Sequence, residues 1–298
     1  MPLKEFKADL MPRAKEIAMK VRKDFLTTAM AGELASKLKG RGIEFEDYRD
    51  YTNTDDASRI DWMASQRSQR LLVREYKVDI NFNAIFMVDV SESMLFTSQK
   101  KLKCEYAAEA ITSIFFGLIN SGNSVGYALF SDGIKSLNKP KMGKKQFHQF
   151  VNELKNPKNY GGKKNLKQSV RQVLSLLDKR NLIFLVSDFI DMQDTLAEYL
   201  KIICHVHEVI GIMVRDPRDF EIPIDSGQIV IEDPFSKKTL YIDSKQYAEI
   251  YNDYNKKELS NIRKIFQMNK SNLLELKTNE HYFNPMLKFF TRVGARWR

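Results

Sequence analysis

The sequence is poor in the residues that build disulfide frameworks and transition-metal sites. It contains two cysteines, Cys104 and Cys204, and four histidines among 298 residues. The cysteines lie far apart and match neither a metal-binding nor a redox spacing, which disfavours both a disulfide framework and a cysteine-based zinc site. We interpret both cysteines as buried free thiols.

Long apolar runs are missing as well. No segment approaches the roughly 18 apolar residues that a membrane-spanning helix requires. The N-terminal segment from Met1 to Lys23 lacks the apolar stretch of a secretory signal. We therefore predict a cytoplasmic protein with no transmembrane segment.

Positive charge is concentrated in one part of the chain. The net charge is +10, and thirteen Lys or Arg residues stand against two acids between Lys135 and Arg180, so the remainder is close to neutral. Such a segment indicates a local surface for an acidic protein partner, although a solvated lysine-rich face explains the composition equally well. We assign the following lysines to partner binding: Lys141, Lys144, Lys145, Lys158, Lys163, Lys164 and Lys167.

The most informative stretch runs from residue 85 to residue 94 and reads IFMVDVSESM. Its apolar part is typical of a strand that is buried on both faces. The strand ends in Asp89, Ser91 and Ser93, whose alternate spacing allows one carboxylate and two hydroxyl groups to converge. Oxygen ligands just past the carboxyl end of a buried strand suit Mg²⁺ or Mn²⁺, and ligands of open α/β sheets gather at that edge.

A second buried strand also ends in an acid. The apolar run from Leu182 to Val186 is followed by Asp188. In a doubly wound sheet, the ends of strands that are distant in sequence can be neighbours at the switch point. We therefore predict that Asp188 joins Asp89 and its two serines in one oxygen-rich metal site.

Strands and helices alternate from Asn83 onwards, which predicts an α/β fold with a doubly wound, mainly parallel sheet and helices on both faces. Apolar residues at helical spacing also predict an amphipathic helix over residues 3 to 30. We divide the chain into residues 1–80, a helix and strand extension packed on the main domain; residues 81–235, the core; and residues 236–298, a C-terminal strand and helix completion of the same domain.

The order of several motifs resembles that of a known family. A charged and aromatic segment at Gly40–Tyr51 is followed by Thr54–Asp56, Arg59–Trp62, Val73–Tyr76 and then the Asp89 motif. This arrangement resembles the DUF 58 family, bacterial proteins with a von Willebrand A-like (Rossmann-like) domain, and the Asp89 motif resembles a metal-ion-dependent adhesion site. The resemblance implies a non-enzymatic adaptor for protein–protein interaction. It also implies partners, namely a MoxR-type AAA+ ATPase and other von Willebrand A proteins, in the maturation or assembly of client proteins.

One position departs from the family pattern. Family members usually carry a threonine after the glycine pair that precedes the fourth strand of the core, where it supplies a metal-site oxygen. Here Gly161 and Gly162 are followed by Lys163. If Lys163 occupies that place, its ammonium repels a divalent ion and neutralises Asp89 and Asp188 in its stead; if it points to solvent, the other ligands bind metal together with water. Both interpretations stay open, so we expect Mg²⁺ or Mn²⁺ binding to be weak or absent.

Two further functions are alternatives at this stage. The basic segment from residue 135 to residue 180 could bind nucleic acid or another polyanion by neutralising phosphates, with Phe147, Phe150 and Tyr160 stacking on bases. These aromatic residues match no nucleic-acid-binding motif. The second alternative is a metal-dependent phosphodiesterase, whose turnover would require Asp89 and Asp188.

Overall fold

The computed structural model of the protein describes residues 6–8, 10, 43–52, 57–78, 82–177, 180–222, 227–232 and 239–295. The predicted helix over residues 3 to 30 lies almost entirely outside them, as do the glycines at 40 and 42 and the segment 54–56. Within the described ranges, no helix combines the length and the apolar composition needed to cross a membrane.

The first two strands form a small sheet of their own. Strands β1 (Ile43–Asp50) and β2 (Leu72–Val78) pair antiparallel, and helix α1 (Trp62–Ser68) lies between them in the chain. Asp61 caps α1 by accepting hydrogen bonds from the backbone N–H groups of the second and third helical residues, each at 3.1 Å. The hydroxyl of Tyr48 donates to the other oxygen of Asp61 at 3.0 Å. The mixture of charged and aromatic residues in this region thus ties the helix to β1.

Six further strands form the central sheet. Five of them follow in the chain as β3 (Asn83–Asp89), β4 (Ser124–Phe130), β5 (Ile134–Lys141), β6 (Leu182–Ser187) and β7 (Glu208–Arg215). Strands β8 (Gln228–Glu232) and β9 (Thr239–Asp243) pair antiparallel with each other, and β10 (Asn272–Lys277) completes the central sheet.

The order of the central strands in space is β10-β7-β6-β3-β4-β5, and all neighbours are parallel except β4 and β5. From β3 the chain adds β4 and β5 on one side and then crosses to add β6, β7 and β10 on the other. Strands β3 and β6 therefore flank the point at which the winding reverses, where open α/β sheets form their binding crevice.

Helices cover both faces of this sheet. Helices α2 (Lys103–Asn120), α3 (Lys144–Lys155) and α7 (Phe283–Ala295) bury their apolar sides in one core; α4 (Leu166–Leu174), α5 (Gln193–Val206) and α6 (Ser244–Met268) contribute to the other. Along β3, Phe86 and Val88 enter the first core, whereas Ile85 and Met87 enter the second. Since both faces of β3 are buried, its sequence is continuously apolar. The predicted α/β architecture with a mainly parallel sheet is confirmed.

Candidate functional site

Two carboxylates meet at the reversal point of the sheet. Asp89 is the last residue of β3, and Asp188 follows the last residue of β6, its neighbouring strand. Both side chains are fully buried. The structure thus brings together the two acids that the sequence placed at the carboxyl edge.

A glycine turn closes over the loop that follows β3. Gly161 and Gly162 have φ angles of 112° and 83°, which residues with a side chain rarely adopt. The N–H of Gly161 donates to the carbonyl of Val90 at 2.8 Å, and the N–H of Glu92 donates to the carbonyl of Gly162 at 3.1 Å. These two bonds fix the segment that follows the turn next to the carboxylates.

Lys164, and not Lys163, supplies the cation at the two acids. The Nζ atom of Lys164 lies 3.3 Å from Oδ2 of Asp89 and donates a hydrogen bond to Oδ1 of Asp188. Lys163 is exposed and lines an adjoining pocket. Successive side chains of a non-helical segment point in different directions, and here the second lysine after the glycines is the one that reaches the acids. The lysine that neutralises the acids is therefore Lys164, one position after the predicted Lys163.

A second lysine, at the start of α2, binds the other oxygen of Asp188. Lys103, the first residue of α2, places Nζ 2.9 Å from Oδ2 of Asp188 and 2.9 Å from Oδ2 of Asp219. Neither Lys103 nor Asp219 is among the residues predicted for this site. Asp219 had only a partial signal: it lies four residues past the end of β7, a third buried strand whose carboxyl end lies at the same edge, but the acid directly after that strand is Asp216. Lys103 had none, since a lysine at the start of a helix is ordinary.

Hydroxyl and amide groups occupy the remaining positions around Asp89. The Oγ atom of Ser187 donates to Oδ2 of Asp89 at 2.6 Å, and the N–H of Ser91 donates to Oδ1 at 2.9 Å. The Oγ atoms of Ser91 and Ser93 lie 3.2 Å apart. Ser93 lines the adjoining pocket, and no histidine in the described part of the chain does so, so the serine–histidine pair of the Ser-His-Asp triad is not formed there.

The electrostatics of the cluster keep its central groups ionised. Burial opposes the ionisation of Asp188, but Lys103 and Lys164 outweigh it and hold the pKa of this carboxyl well below its ordinary value. Burial also opposes the protonation of both lysines, yet the neighbouring acids raise the pKa of each. Burial raises the pKa of Asp219, although the charge of Lys103 acts against it. At neutral pH the two lysines and Asp188 are therefore charged, and Asp188 contacts both ammonium groups.

Helix α6 forms hydrogen bonds with the end of β7 and with the loop after β6, next to the acids of the cluster. The guanidinium of Arg215, at the end of β7, donates to Oε2 of Glu258 on α6 at 2.8 Å and to the carbonyl of Asp188 at 2.9 Å. The other oxygen of Glu258 accepts from the N–H of Asp191 at 3.1 Å. Phe189 and Asp191 have positive φ angles of 54° and 53°, a costly conformation for residues other than glycine. The contacts to α6 therefore hold the loop after β6 in a shape that it would not adopt alone.

A pocket of about 970 Å³ opens beside the ion cluster, and Lys103 and Lys164 form part of its wall. The wall also contains apolar side chains, including Phe96 and Ile190, and the exposed cations Lys167 and Arg218. A pocket that combines apolar walls with a few charged groups is typical of a binding site.

The predicted partner-binding lysines do not form one surface. Three of them line the pocket, and Lys158 lies in the 3₁₀ turn that follows α3. The others lie near the opposite end of the sheet, because β5 is antiparallel to β4 and Lys141 pairs with Val125 near the beginning of β4. Seven residues of β4 separate the two ends by about 20 Å. The prediction of one local partner surface is therefore corrected for three of the seven lysines, which lie away from the pocket: Lys141, Lys144 and Lys145.

The arrangement does not fit a divalent ion at the two acids. Mg²⁺ binds carboxylate oxygens at about 2.0–2.1 Å, and an ion shared by Asp89 and Asp188 would lie where Nζ of Lys164 lies. Each of the four carboxylate oxygens already accepts a hydrogen bond. Across the described ranges, no group of three His, Cys, Asp or Glu side chains is arranged to hold a metal.

The family model "Protein of unknown function DUF58" matches residues 47–263. The chain belongs to the DUF58 family. The uncharacterized proteins Mb1516 from Mycobacterium bovis and Rv1480 from Mycobacterium tuberculosis are each 28% identical to it over 214 residues, which cover 71% of this chain and 67% of each relative. The matched region of the DUF58 chain contains both central acids and Lys164, and the family predicted from the motif order is confirmed.

Two solved structures resemble the DUF58 chain more distantly. The conserved hypothetical protein BatB from Bacteroides thetaiotaomicron is 13% identical, covers 72% of this chain and 100% of its own, and has a TM-score of 0.49. An aerotolerance-related membrane protein from Bacteroides fragilis is 12% identical with the same coverage and a TM-score of 0.46. At these scores the similarities support no conclusion about function.

Proposed function

We propose that this DUF58 protein is a non-enzymatic binding module with a von Willebrand A-like fold, and that a protein partner docks in the pocket beside Asp89 and Asp188. The observation that carries the proposal is the internal pairing of charge at this edge. Lysines bind the carboxylates, and no histidine among the described residues lines the pocket beside Ser93. A site of this kind offers a rigid, preorganised wall for recognition but no activated nucleophile.

The proposed partner is a MoxR-type AAA+ ATPase, together with other von Willebrand A proteins, in the maturation or assembly of client proteins. This assignment rests on the family resemblance. The exposed cations Lys167 and Arg218 at the pocket favour an acidic segment on the partner, because complementary charges speed encounter and fix orientation.

Binding of a purified MoxR-type AAA+ ATPase to the full chain, measured by surface plasmon resonance, tests this function. Lys167→Glu reverses a charge at the pocket and should weaken binding about tenfold. Lys145→Glu is a matched control, because Lys145 and Lys167 are both the exposed second residue of a helix but lie at opposite ends of the sheet. Absence of binding by the wild-type protein, or an equal loss in both variants, would contradict docking at the pocket.

Nucleic-acid binding makes a different prediction for the same two variants. A gel-shift titration over a salt series would show tight, steeply salt-dependent binding, and both charge reversals would weaken it. The location of the basic residues at two ends of the sheet does not favour this alternative. A metal-dependent phosphodiesterase would need its ion at the position of Lys164.

A further inference from the structure

Lys164 has the contacts that a metal ion would have at this edge. Its ammonium group bonds to one oxygen from each of the two acids, Asp89 and Asp188. The side chain is 12% exposed, whereas both carboxylates are completely buried. The ammonium therefore lies between the acids and the pocket, on the path that a free ion would have to take.

The charges of the cluster also disfavour an additional divalent ion. The two ammonium groups of the cluster, on Lys103 and Lys164, contact three carboxyl groups, those of Asp89, Asp188 and Asp219. A divalent ion added beside them would face both ammonium groups at short range, where repulsion in a partly buried site is strong. To bind directly, the ion would have to displace Lys164, which is attached to the chain and held in place by the glycine turn.

We infer that Lys164 is a tethered cation that permanently replaces a divalent metal ion at the Asp89–Asp188 pair, so that this DUF58 protein keeps the geometry of the site without Mg²⁺ or Mn²⁺. The inference concerns the resident cation and holds whatever partner occupies the pocket. A lysine ammonium has three N–H groups, of which two are directed to the acids. The third is available to an oxygen of a ligand in the pocket that Lys164 lines.

The test is a titration of the full chain with Mn²⁺, followed by electron paramagnetic resonance, and with Mg²⁺, followed by calorimetry. The wild-type protein should bind neither ion in the micromolar range. Lys164→Thr removes the ammonium and supplies a hydroxyl, so it should bind Mn²⁺ at least about tenfold more tightly than the wild type. The gain in Mn²⁺ affinity should disappear in the Lys164→Thr, Asp89→Ala double variant. The matched control is Lys163→Thr, one residue earlier, and its Mn²⁺ affinity should equal that of the wild type.

Two results would overturn the inference. One is micromolar Mn²⁺ binding by the wild-type protein that Asp89→Ala abolishes, because Lys164 would then move aside for the ion. The other is a folded Lys164→Thr variant that binds Mn²⁺ no better than the wild type. If Lys164→Thr does not fold, thermal unfolding of the wild type decides: equal midpoints in MnCl₂ and in EDTA support the tethered cation, and a rise in MnCl₂ that Asp89→Ala removes contradicts it.

Discussion

The Nζ atom of Lys103 lies 2.9 Å from Oδ2 of Asp188, and the side chains are 1% and 0% exposed. This ion pair joins the start of α2 to the end of β6. Lys164 reaches the same carboxylate from the glycine turn, and the guanidinium of Arg215 binds the backbone carbonyl of Asp188. Asp188 is therefore the residue at which four separate segments of the chain meet.

Removal of the Lys103 charge should strongly destabilise the protein. Lys103→Met leaves Asp188 and Asp219 buried with one cation fewer, and loss of one partner from a buried ion pair typically costs about 3–5 kcal/mol. Urea denaturation followed by circular dichroism measures the change. Lys135→Met is the control, because the Lys135–Asp132 pair is largely exposed and such pairs contribute about 0–1 kcal/mol. A similar small loss in both variants would show that the buried pair does not stabilise the fold.

The stability of the protein should fall in acid partly through Asp188. The lysines hold the pKa of this carboxyl below its ordinary value in the folded state, whereas in the unfolded chain it is about 3.9. The stabilisation is therefore complete above about pH 5 and is lost as the pH falls below that value, since the unfolded state then binds the extra proton. Asp188→Asn should be less stable at pH 7 and should lose stability less steeply between pH 4 and pH 2. An equal fall in the free energy of unfolding between pH 4 and pH 2 in the variant and the wild type would contradict this prediction.

Breaking the contact between α6 and the sheet edge should loosen the loop after β6. Glu258→Ala leaves the fully buried Arg215 without its carboxylate, which should cost about 3–5 kcal/mol, and it removes the acceptor of the Asp191 N–H. Hydrogen exchange at residues 189–192 should become faster than in the wild type. In the double variant Arg215→Met, Glu258→Leu, much of the stability should return because no buried charge is left unpaired, but the faster exchange should remain. Unchanged exchange in Glu258→Ala would show that the loop is held by other contacts.

The glycine turn should tolerate no side chain at residue 162. Gly162 has a φ of 83°, and an added Cβ would lie 3.3 Å from atoms of Ser131 and Asp132. Gly162→Ala should therefore destabilise the protein by about 1–3 kcal/mol. Gly133→Ala is the control, since its Cβ would meet its nearest neighbour at 3.8 Å and the backbone is not left-handed. Thermal unfolding compares the two, and an equal effect would exclude backbone strain as the cause.

The core of the site could be predicted from the sequence because it depends on strand ends. Buried strands are recognisable as apolar runs, and parallel strands bring their carboxyl ends to one edge. Asp89 and Asp188 follow from these two facts. These facts do not predict which lysine binds both acids, because the choice between Lys163 and Lys164 depends on the backbone angles of two glycines.

Sequence patterns do not predict ion pairs between residues that are far apart in the chain, for a similar reason. The interaction of Lys103 with Asp219 joins residues 116 positions apart, and no local spacing encodes it. Lys141 was misplaced because β5 continues to that residue and runs antiparallel to β4. The eight residues of β5 carry Lys141 from the carboxyl edge, where Ile134 pairs with Phe130, to the other end of the sheet.

The position of β10 has a consequence for synthesis of the protein on the ribosome. Strand β10 pairs with β7 along its whole length, yet it is made only after the 25-residue helix α6 has been translated. Until then one side of β7 presents unpaired backbone groups between apolar side chains, the kind of edge to which other chains add. The nascent chain therefore presents this open sheet edge, to which other copies can add, in the interval between the emergence of β7 and that of β10.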